Sequence, residues 1–287
     1  MGRLLAAEIL KIRKRWLPYL LLLLLVVFAF IQVFLFGYVG YENSTDISAR
    51  QEALRGLSIP WSLQALLDSG QFWGSLVTGI FASSAVATEF GWGTVRQSLI
   101  RGQSRARYLA LKVAAITVVA AGGLLLAFFF GVLVSLFSMS LADRTITLDV
   151  PGGPSVPGIG LMVLRAGYCV IPYGILAFCL ATVARSTTAG VITVVLFLFG
   201  EAIVLGILNG LGGSWADLRD VSLGHNVRAV LSENQIGPEN PLTLAPREGS
   251  IGSEVPDPNG AALILALWVL TFAAVSFAVF QRRDLRS

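Results

Sequence analysis

The sequence predicts an all-α integral membrane protein with six transmembrane helices. Of its 287 residues, 55% are hydrophobic and only 13% are charged. Soluble domains carry about 25% charged residues, so this composition excludes an ordinary water-soluble enzyme. Six stretches reach the length of about 20 apolar residues that a membrane span requires. These stretches are 17–40, 71–88, 113–138, 160–183, 188–211 and 260–280.

The positions of the basic residues predict the orientation of the spans. If both termini lie inside the cell, 14 of the 21 Lys and Arg residues lie on the cytoplasmic side, as the positive-inside rule requires. The net charge of +4 then reflects topology and contact with membrane lipid, and it indicates no nucleic-acid partner. The 14 residues are Arg3, Lys11, Arg13, Lys14, Arg15, Arg96, Arg101, Arg105, Arg107, Lys112, Arg185, Arg282, Arg283 and Arg286.

The first element is a predicted interfacial helix over residues 3–16. Its apolar residues recur at spacings of four, three and four, which is one stripe of an α-helix: Leu5, Ile9, Ile12 and Trp16. The opposing side is expected to carry Glu8, Lys11, Lys14 and Arg15. Such a helix lies along the membrane surface with its apolar stripe in the bilayer and its basic groups on anionic lipid. The alternative is a basic flank that only fixes the topology.

Between the second and third spans lies a long cytoplasmic loop, residues 89–112. It has 24 residues, five of them basic, and a short amphipathic stretch near its centre. The next cytoplasmic loop, around Arg185 and Ser186, forms a tight hairpin of only about four residues. On the residues alone, the long loop fits a docking element for another protein and a solvated basic loop equally well.

The long loop resembles the corresponding loop of ABC type-2 exporter permeases. In that family an acidic residue and a Gly-Thr pair follow the second span, a coupling helix comes next, and a Ser-Arg pair and a Lys precede the third span. The matching residues are Glu89, Gly93, Thr94, Arg101, Ser104, Arg105 and Lys112. Gly102 departs from the pattern, which commonly has proline there. The layout agrees over essentially the whole chain, and the likeness is greatest to bacitracin- and lantibiotic-resistance permeases.

The resemblance implies the permease subunit of an ATP-driven exporter, multi-pass in a bacterial cell membrane, for an amphipathic peptide antibiotic, drug or lipid. It implies a cytoplasmic ABC ATPase as partner, which would bind ATP and Mg²⁺, and a second permease copy in a homodimer, with a heterodimer left open. Glu89 is expected to pair with Arg96 or Arg101, or to cap the next helix. The residues expected to couple to the ATPase are Glu89, Gly93, Thr94, Arg96, Arg101 and Arg105.

Two charged residues fall within predicted spans. Glu201 lies in the fifth span, where an ionised carboxylate costs a few kcal/mol. It is a candidate for the translocation path, and the alternative is a hydrogen-bonded group that holds helices together. Arg165, near the outer end of the fourth span, is expected to extend its side chain to the interface.

The sequence predicts no catalytic residue, no metal site and no cofactor bound by this chain. It lacks the GxxxxGK[ST] phosphate loop, and a single histidine, His225, cannot form the metal pair of HExxH enzymes. Two other functions remain open. One is an ion-coupled transporter that acts alone, and the other is a membrane scaffold or sensor that binds a partner through the outer loop 212–259.

Overall fold

The computed structural model describes residues 2–100, 104–142, 156–211, 218–234 and 257–282. These residues are almost entirely helical and contain no strand, which confirms the predicted all-α class. Five of their helices are long and apolar enough to cross a membrane: Leu17–Asn43, Arg105–Leu141, Gly158–Ala184, Thr187–Ile207 and Pro258–Arg282. The predicted span 71–88 lies in a sixth long helix, Ile59–Gly91, which is not among these five.

The helices are numbered here in chain order. The first four are α1 (Gly2–Arg13), α2 (Leu17–Asn43, π-helical over Ile31–Val39), α3 (Ile47–Leu57) and α4 (Ile59–Gly91). The next three are α5 (Thr94–Ile100), α6 (Arg105–Leu141) and α7 (Val156–Ala184). The last four are α8 (Thr187–Val195, π-helical Leu196–Gly200 and Glu201–Leu211), α9 (Leu218–Val221), α10 (Leu223–Ser232) and α11 (Pro258–Arg282).

Helix α4 lies at the centre of the bundle and packs against α2, α6, α7 and α8. Its small and polar side chains face these neighbours, and Ser75, Ser83 and Val86 are fully buried. The Ser83 hydroxyl donates to the Gly79 carbonyl one turn earlier, at 2.7 Å, so its polar group is satisfied within the helix. Because protein rather than lipid surrounds α4, this helix needs less apolar surface than the outer helices. This environment explains why α4 is less apolar than the five candidate membrane spans.

Helix α1 is shorter than the predicted segment 3–16, because residues 14–16 form a turn into α2. The stripe residue Ile12 is buried, and Leu5 and Ile9 pack beside it against the core formed by α2, α4 and α6. Trp16, expected on the same stripe, is instead 88% exposed. The stripe therefore packs on the helix bundle. The location of α1 at the membrane surface remains a prediction.

The hairpin between α7 and α8 has the tight turn that the sequence predicts. Arg185 adopts a left-handed conformation with φ of 54°, which ends α7. The Ser186 side chain then caps α8 by accepting a hydrogen bond from the Ala189 amide at 3.4 Å. Arg185 also lies 6.0 Å from the ring centre of Phe90, so this hairpin shares one end of the bundle with the end of α4.

The predicted outer loop 212–259 is described over residues 218–234 and 257–259 only. There α10 packs against α7 and α11. The indole nitrogen of Trp268 in α11 donates to the Val221 carbonyl at 2.9 Å, and the thiol of Cys169 in α7 donates to the Val227 carbonyl at 3.9 Å. This part of the loop is therefore a packed element of the bundle.

Candidate functional site

Three charged residues from three helices meet inside the protein. The Lys112 ammonium of α6 lies 2.6 Å from Glu8 Oε2 of α1 and 2.5 Å from Glu89 Oε1 of α4. Lys112 is 1% exposed, Glu89 is 2% exposed and Glu8 is 8% exposed. We refer to Glu8, Lys112 and Glu89 as the charged triad. It joins the N-terminal helix, the end of α4 and the beginning of α6 at one point.

A second set of polar groups surrounds the charged triad. The Tyr108 hydroxyl donates to Glu89 Oε2. Arg15 lies 3.8 Å from Glu89 Oε1 and donates to the Thr88 hydroxyl at 2.5 Å. On the other side, Lys11 contacts Glu8 Oε1 at 2.5 Å, with its side chain 48% exposed. Glu8 and Glu89 therefore share Lys112, and each also lies beside a second cation, which is Lys11 for Glu8 and Arg15 for Glu89.

The position of Glu8 corrects the expectation that it lies opposite the apolar stripe of α1. Glu8 precedes Ile12 by four residues, and residues four apart lie on the same side of a helix. It therefore enters the bundle beside Ile12 rather than facing outward. Glu8 is the one acidic residue of segment 3–16. The signal in the sequence for its burial was the spacing of four residues between Glu8 and Ile12.

Opposite effects of burial and neighbouring cations set the pKa of Glu8. Burial raises the pKa of this carboxyl, but Lys112 and Lys11 together outweigh burial and lower it below its ordinary value. The ionised form is thus the stable one in the folded protein. Removing one partner from a buried, hydrogen-bonded ion pair leaves an uncompensated charge and costs about 3–5 kcal/mol.

The segment that follows α4 is held close to the charged triad. Gly93 has φ of 68°, a conformation that side chains disfavour, and it turns the chain into α5. The Thr94 hydroxyl donates to the Glu89 carbonyl at 3.3 Å, and Val95 is buried in the core. Trp92 and Ile100, by contrast, are 68% and 76% exposed. Thr94 and Val95 therefore hold this segment against the bundle, while Trp92 and Ile100 expose apolar surface.

The end of α11 is attached to the same region through aromatic rings and a cation. The ring of Phe280 stacks on Tyr108 with centroids 5.8 Å apart, and it meets Phe90 edge-on at 6.1 Å. Arg105 donates to the Gln281 carbonyl at 2.7 Å. The Ser104 side chain caps α6 by accepting from the Arg107 amide at 3.3 Å. The predicted Ser-Arg pair thus starts α6 and ties it to α11.

The structure gives Glu89 three partners that the sequence did not predict. Its carboxylate contacts Lys112, Tyr108 and Arg15, all of which come from outside α5. The reason is that α4 ends with Glu89 directed into the bundle, towards α1 and α6. The side chain of Arg96 and the whole of Arg101 lie outside the described residues. Their expected contacts remain predictions, as does the ATPase-coupling role of the set.

Glu201 has a hydrogen-bond partner that sequence reasoning left unnamed. Its Oε2 atom accepts from the Gly224 amide at 2.8 Å, in the first turn of α10. A carboxylate at a helix N-terminus is stabilised by the unpaired amides and by the helix dipole. A Cβ atom at position 224 would lie 2.9 Å from this oxygen, so glycine keeps the approach open. Glu201 thereby connects α8 to α10, and a place in the translocation path remains a prediction.

We predict that Lys112→Met destabilises the protein by about 3 kcal/mol or more, because it leaves two buried carboxylates without their shared cation. The matched control is Lys11→Met, which removes an exposed cation beside the same Glu8 and should cost about 1 kcal/mol or less. Thermal denaturation of the purified protein in one detergent measures both. Adding Glu8→Gln and Glu89→Gln to Lys112→Met should recover part of the loss. Equal stability of the two single variants would contradict the buried role of Lys112.

We also predict a loss of stability in acid that depends on Glu8. Its pKa is lowered from an ordinary value of 4.5. Its stabilising effect is therefore complete above that value and is lost as the pH falls through the lowered pKa of the folded state. Melting temperatures measured between neutral pH and about pH 3 should fall less steeply for Glu8→Gln than for the wild type. Glu42→Gln, a change at an exposed carboxylate, is the control, and parallel curves for Glu8→Gln and wild type would count against this assignment.

Comparison with known proteins identifies the family of the chain. A family model described as "ABC-2 family transporter protein" matches residues 4–285. The match includes nearly all of α1, the charged triad and all of α11. A search of curated proteins finds no match. Permeases of this family are membrane components of transporters rather than NTPases, and they generally dimerise and work with a cytoplasmic ABC ATPase. With nearly its whole length matched, the chain belongs to the ABC-2 transporter family.

Proposed function

We propose that this chain is the permease subunit of an ATP-driven ABC exporter, and that it couples to a separate ATPase through residues 89–112. The observation that carries the proposal is the position of the charged triad. It lies at the base of the segment Trp92–Ile100 and connects α4, the helix that this segment follows, to α1 and α6. A surface that receives force from a partner needs such a rigid base.

The proposal includes six spans, with α4 as the second and with both termini in the cytoplasm. Helix α4 has 33 residues, a length of about 50 Å, which exceeds the bilayer core. The ends of α4, α7 and α11 lie beside the beginnings of α2, α6 and α8. The contacts that bring them together are made by Glu89, Phe90, Arg105 and Arg185. Six helices that alternate in direction from one common end support an even number of spans.

Labelling of single introduced cysteines tests this topology. Gln51 and Gln97 are both exposed and lie towards opposite ends of the bundle. In intact cells, a membrane-impermeant maleimide should label Gln51→Cys and spare Gln97→Cys until the membrane is permeabilised. The native Cys169 and Cys179 are buried and provide the background. Labelling of both positions in intact cells would contradict the six-span topology.

In this transporter the charged triad makes α5 move together with α4, α6 and α1. Force applied to α5 passes through the Thr94–Glu89 hydrogen bond into α4, and through Lys112 into α6 and α1. Separating any two of these helices would leave a buried charge without its partner, which is costly. The helices therefore tilt together when the partner moves, and the motion reaches the membrane-spanning part of the protein.

A second permease copy and two ATPase subunits complete the proposed transporter, with ATP and Mg²⁺ bound by the ATPase subunits. The likeness of the chain to bacitracin- and lantibiotic-resistance permeases supports an amphipathic substrate such as a peptide antibiotic, drug or lipid. Stimulation of ATP hydrolysis in the reconstituted complex by an amphipathic peptide antibiotic, but not by a hydrophilic peptide of similar size, tests this substrate class. Transport that proceeds without ATP would contradict the proposal.

We predict that Ile100→Asp weakens the complex with the ATPase about 30-fold, because a charge replaces an apolar contact worth about 2 kcal/mol at an interface. The matched control is Ile47→Asp in α3. Ile47 is 75% exposed and Ile100 is 76% exposed, but only Ile100 belongs to the proposed docking segment. Co-purification with the ABC ATPase encoded beside the permease measures the effect. Both variants should keep the wild-type melting temperature, and unchanged binding by Ile100→Asp would refute docking through this segment.

A further inference from the structure

A cleft lies between α6 and α7, which both pack on α4 and make few contacts with each other. Its volume is about 370 Å³, more than twice that of an engineered cavity of about 150 Å³ that takes up benzene. This volume is within the range of small-molecule sites. Helices α4 and α2 form the floor, with Gly70, Leu66 and Phe28 among the lining residues.

The mouth of the cleft faces the membrane rather than water. Leu125 of α6 and Leu164 of α7 line the cleft and are 54% and 71% exposed. Thr117 and Ala121 continue the exposed edge along α6. All four residues belong to helices long and apolar enough to span a bilayer. The material that can enter this cleft is therefore the apolar part of a membrane molecule.

The walls favour a hydrocarbon chain over water. Gln71 is the most polar side chain in the lining, and both hydrogens of its amide group are used within the protein. They are donated to the Cys169 carbonyl and to the Ser75 hydroxyl, each at 3.1 Å. Gln71 Oε1 and Thr78 Oγ1 of the lining have no hydrogen-bond partner among the described residues. They lie seven residues apart on α4, about 10 Å along the helix, so one water cannot bind both, and water in a cavity needs two to four polar partners. An empty apolar cleft loses dispersion contacts along its walls. A flexible chain restores those contacts.

A second pocket adjoins the cleft at the end of the bundle opposite the charged triad. Leu164 and Tyr168 line both spaces, and the second pocket has a volume of about 380 Å³. Here Arg165 pairs with Glu233, with Nη2 3.2 Å from Oε2. Both side chains are partly exposed, at 26% and 48%. The pocket therefore presents a positive group beside a negative group, next to an apolar cleft.

We propose that the two spaces form one site for a zwitterionic phospholipid of the surrounding bilayer. One acyl chain lies in the cleft between α6 and α7. The headgroup lies in the adjoining pocket, with its phosphate near Arg165 and its ammonium near Glu233. The paired opposite charges at the pocket match a zwitterion better than an anion, and the lipid-facing mouth gives direct entry from the bilayer. This site is independent of ATPase docking and of the transported substrate.

Native mass spectrometry of the full-length permease in detergent, titrated with phosphatidylethanolamine, tests the site. The wild type should form one dominant lipid adduct. Leu164→Trp and Ala121→Trp narrow the mouth and should reduce that adduct at least 5-fold. The control is Ile203→Trp, the same bulky residue at a position of α8 that is 64% exposed and belongs to neither lining. Equal adducts in Leu164→Trp and in the wild type overturn the proposal.

The headgroup and the source of the ligand require their own comparisons. The wild type should prefer phosphatidylethanolamine over phosphatidylglycerol, and Arg165→Gln should weaken binding of both lipids. Glu233→Gln should lessen the preference for phosphatidylethanolamine. Protein from cells grown without any added antibiotic or drug should carry the same adduct, which separates a bilayer lipid from a transported antibiotic or drug. Equal affinity of the wild type for both lipids, or an adduct found only when a transported compound is added, overturns the assignment. Melting temperatures equal to that of the wild type confirm that each variant is folded.

Discussion

The ammonium of Lys112, buried between two carboxylates, is the constraint on which this end of the molecule depends. An amine 1% exposed would be expelled from a bundle of apolar helices unless opposite charges met it there. Glu8 and Glu89 meet it from two other helices, at 2.6 and 2.5 Å. The ions have a low-energy arrangement only while all three helices are in place. Packing alone would allow these helices to slide, but the ions specify their register.

The two ends of the bundle are held by interactions of different strength. At the triad end, buried charges connect α1, α4 and α6. At the opposite end, α10 packs against α7 and α11 through a buried apolar cluster that includes Leu223, Val227 and Leu265. The ion pair between Arg165 and Glu233 at this end is partly exposed. Exposed ion pairs contribute little, whereas buried ones are costly to separate, so apolar packing is the main connection at this end.

Local patterns in the sequence were enough to predict the helical class, a helix within residues 3–16 and the tight turn at Arg185. Each depends on residues within a few positions of one another. The partner of Glu8 could not be predicted in this way, because Lys112 is 104 residues away and periodicity shows the face of a helix but not its neighbour. The polar residues of α4 could not be interpreted from the sequence either. Its serines make α4 a poor candidate for a membrane span unless it is known that other helices surround it.

The order of the triad along the chain has a consequence for biogenesis. A membrane protein is synthesised from its N-terminus, so Glu8 and Glu89 emerge before Lys112, which follows Glu89 by 23 residues. Until the third predicted span is inserted, both carboxylates lack their shared counterion. The N-terminal half cannot reach its final packing on its own, and a nascent chain interrupted before Lys112 would hold Glu8 and Glu89 without the buried ammonium that joins their helices.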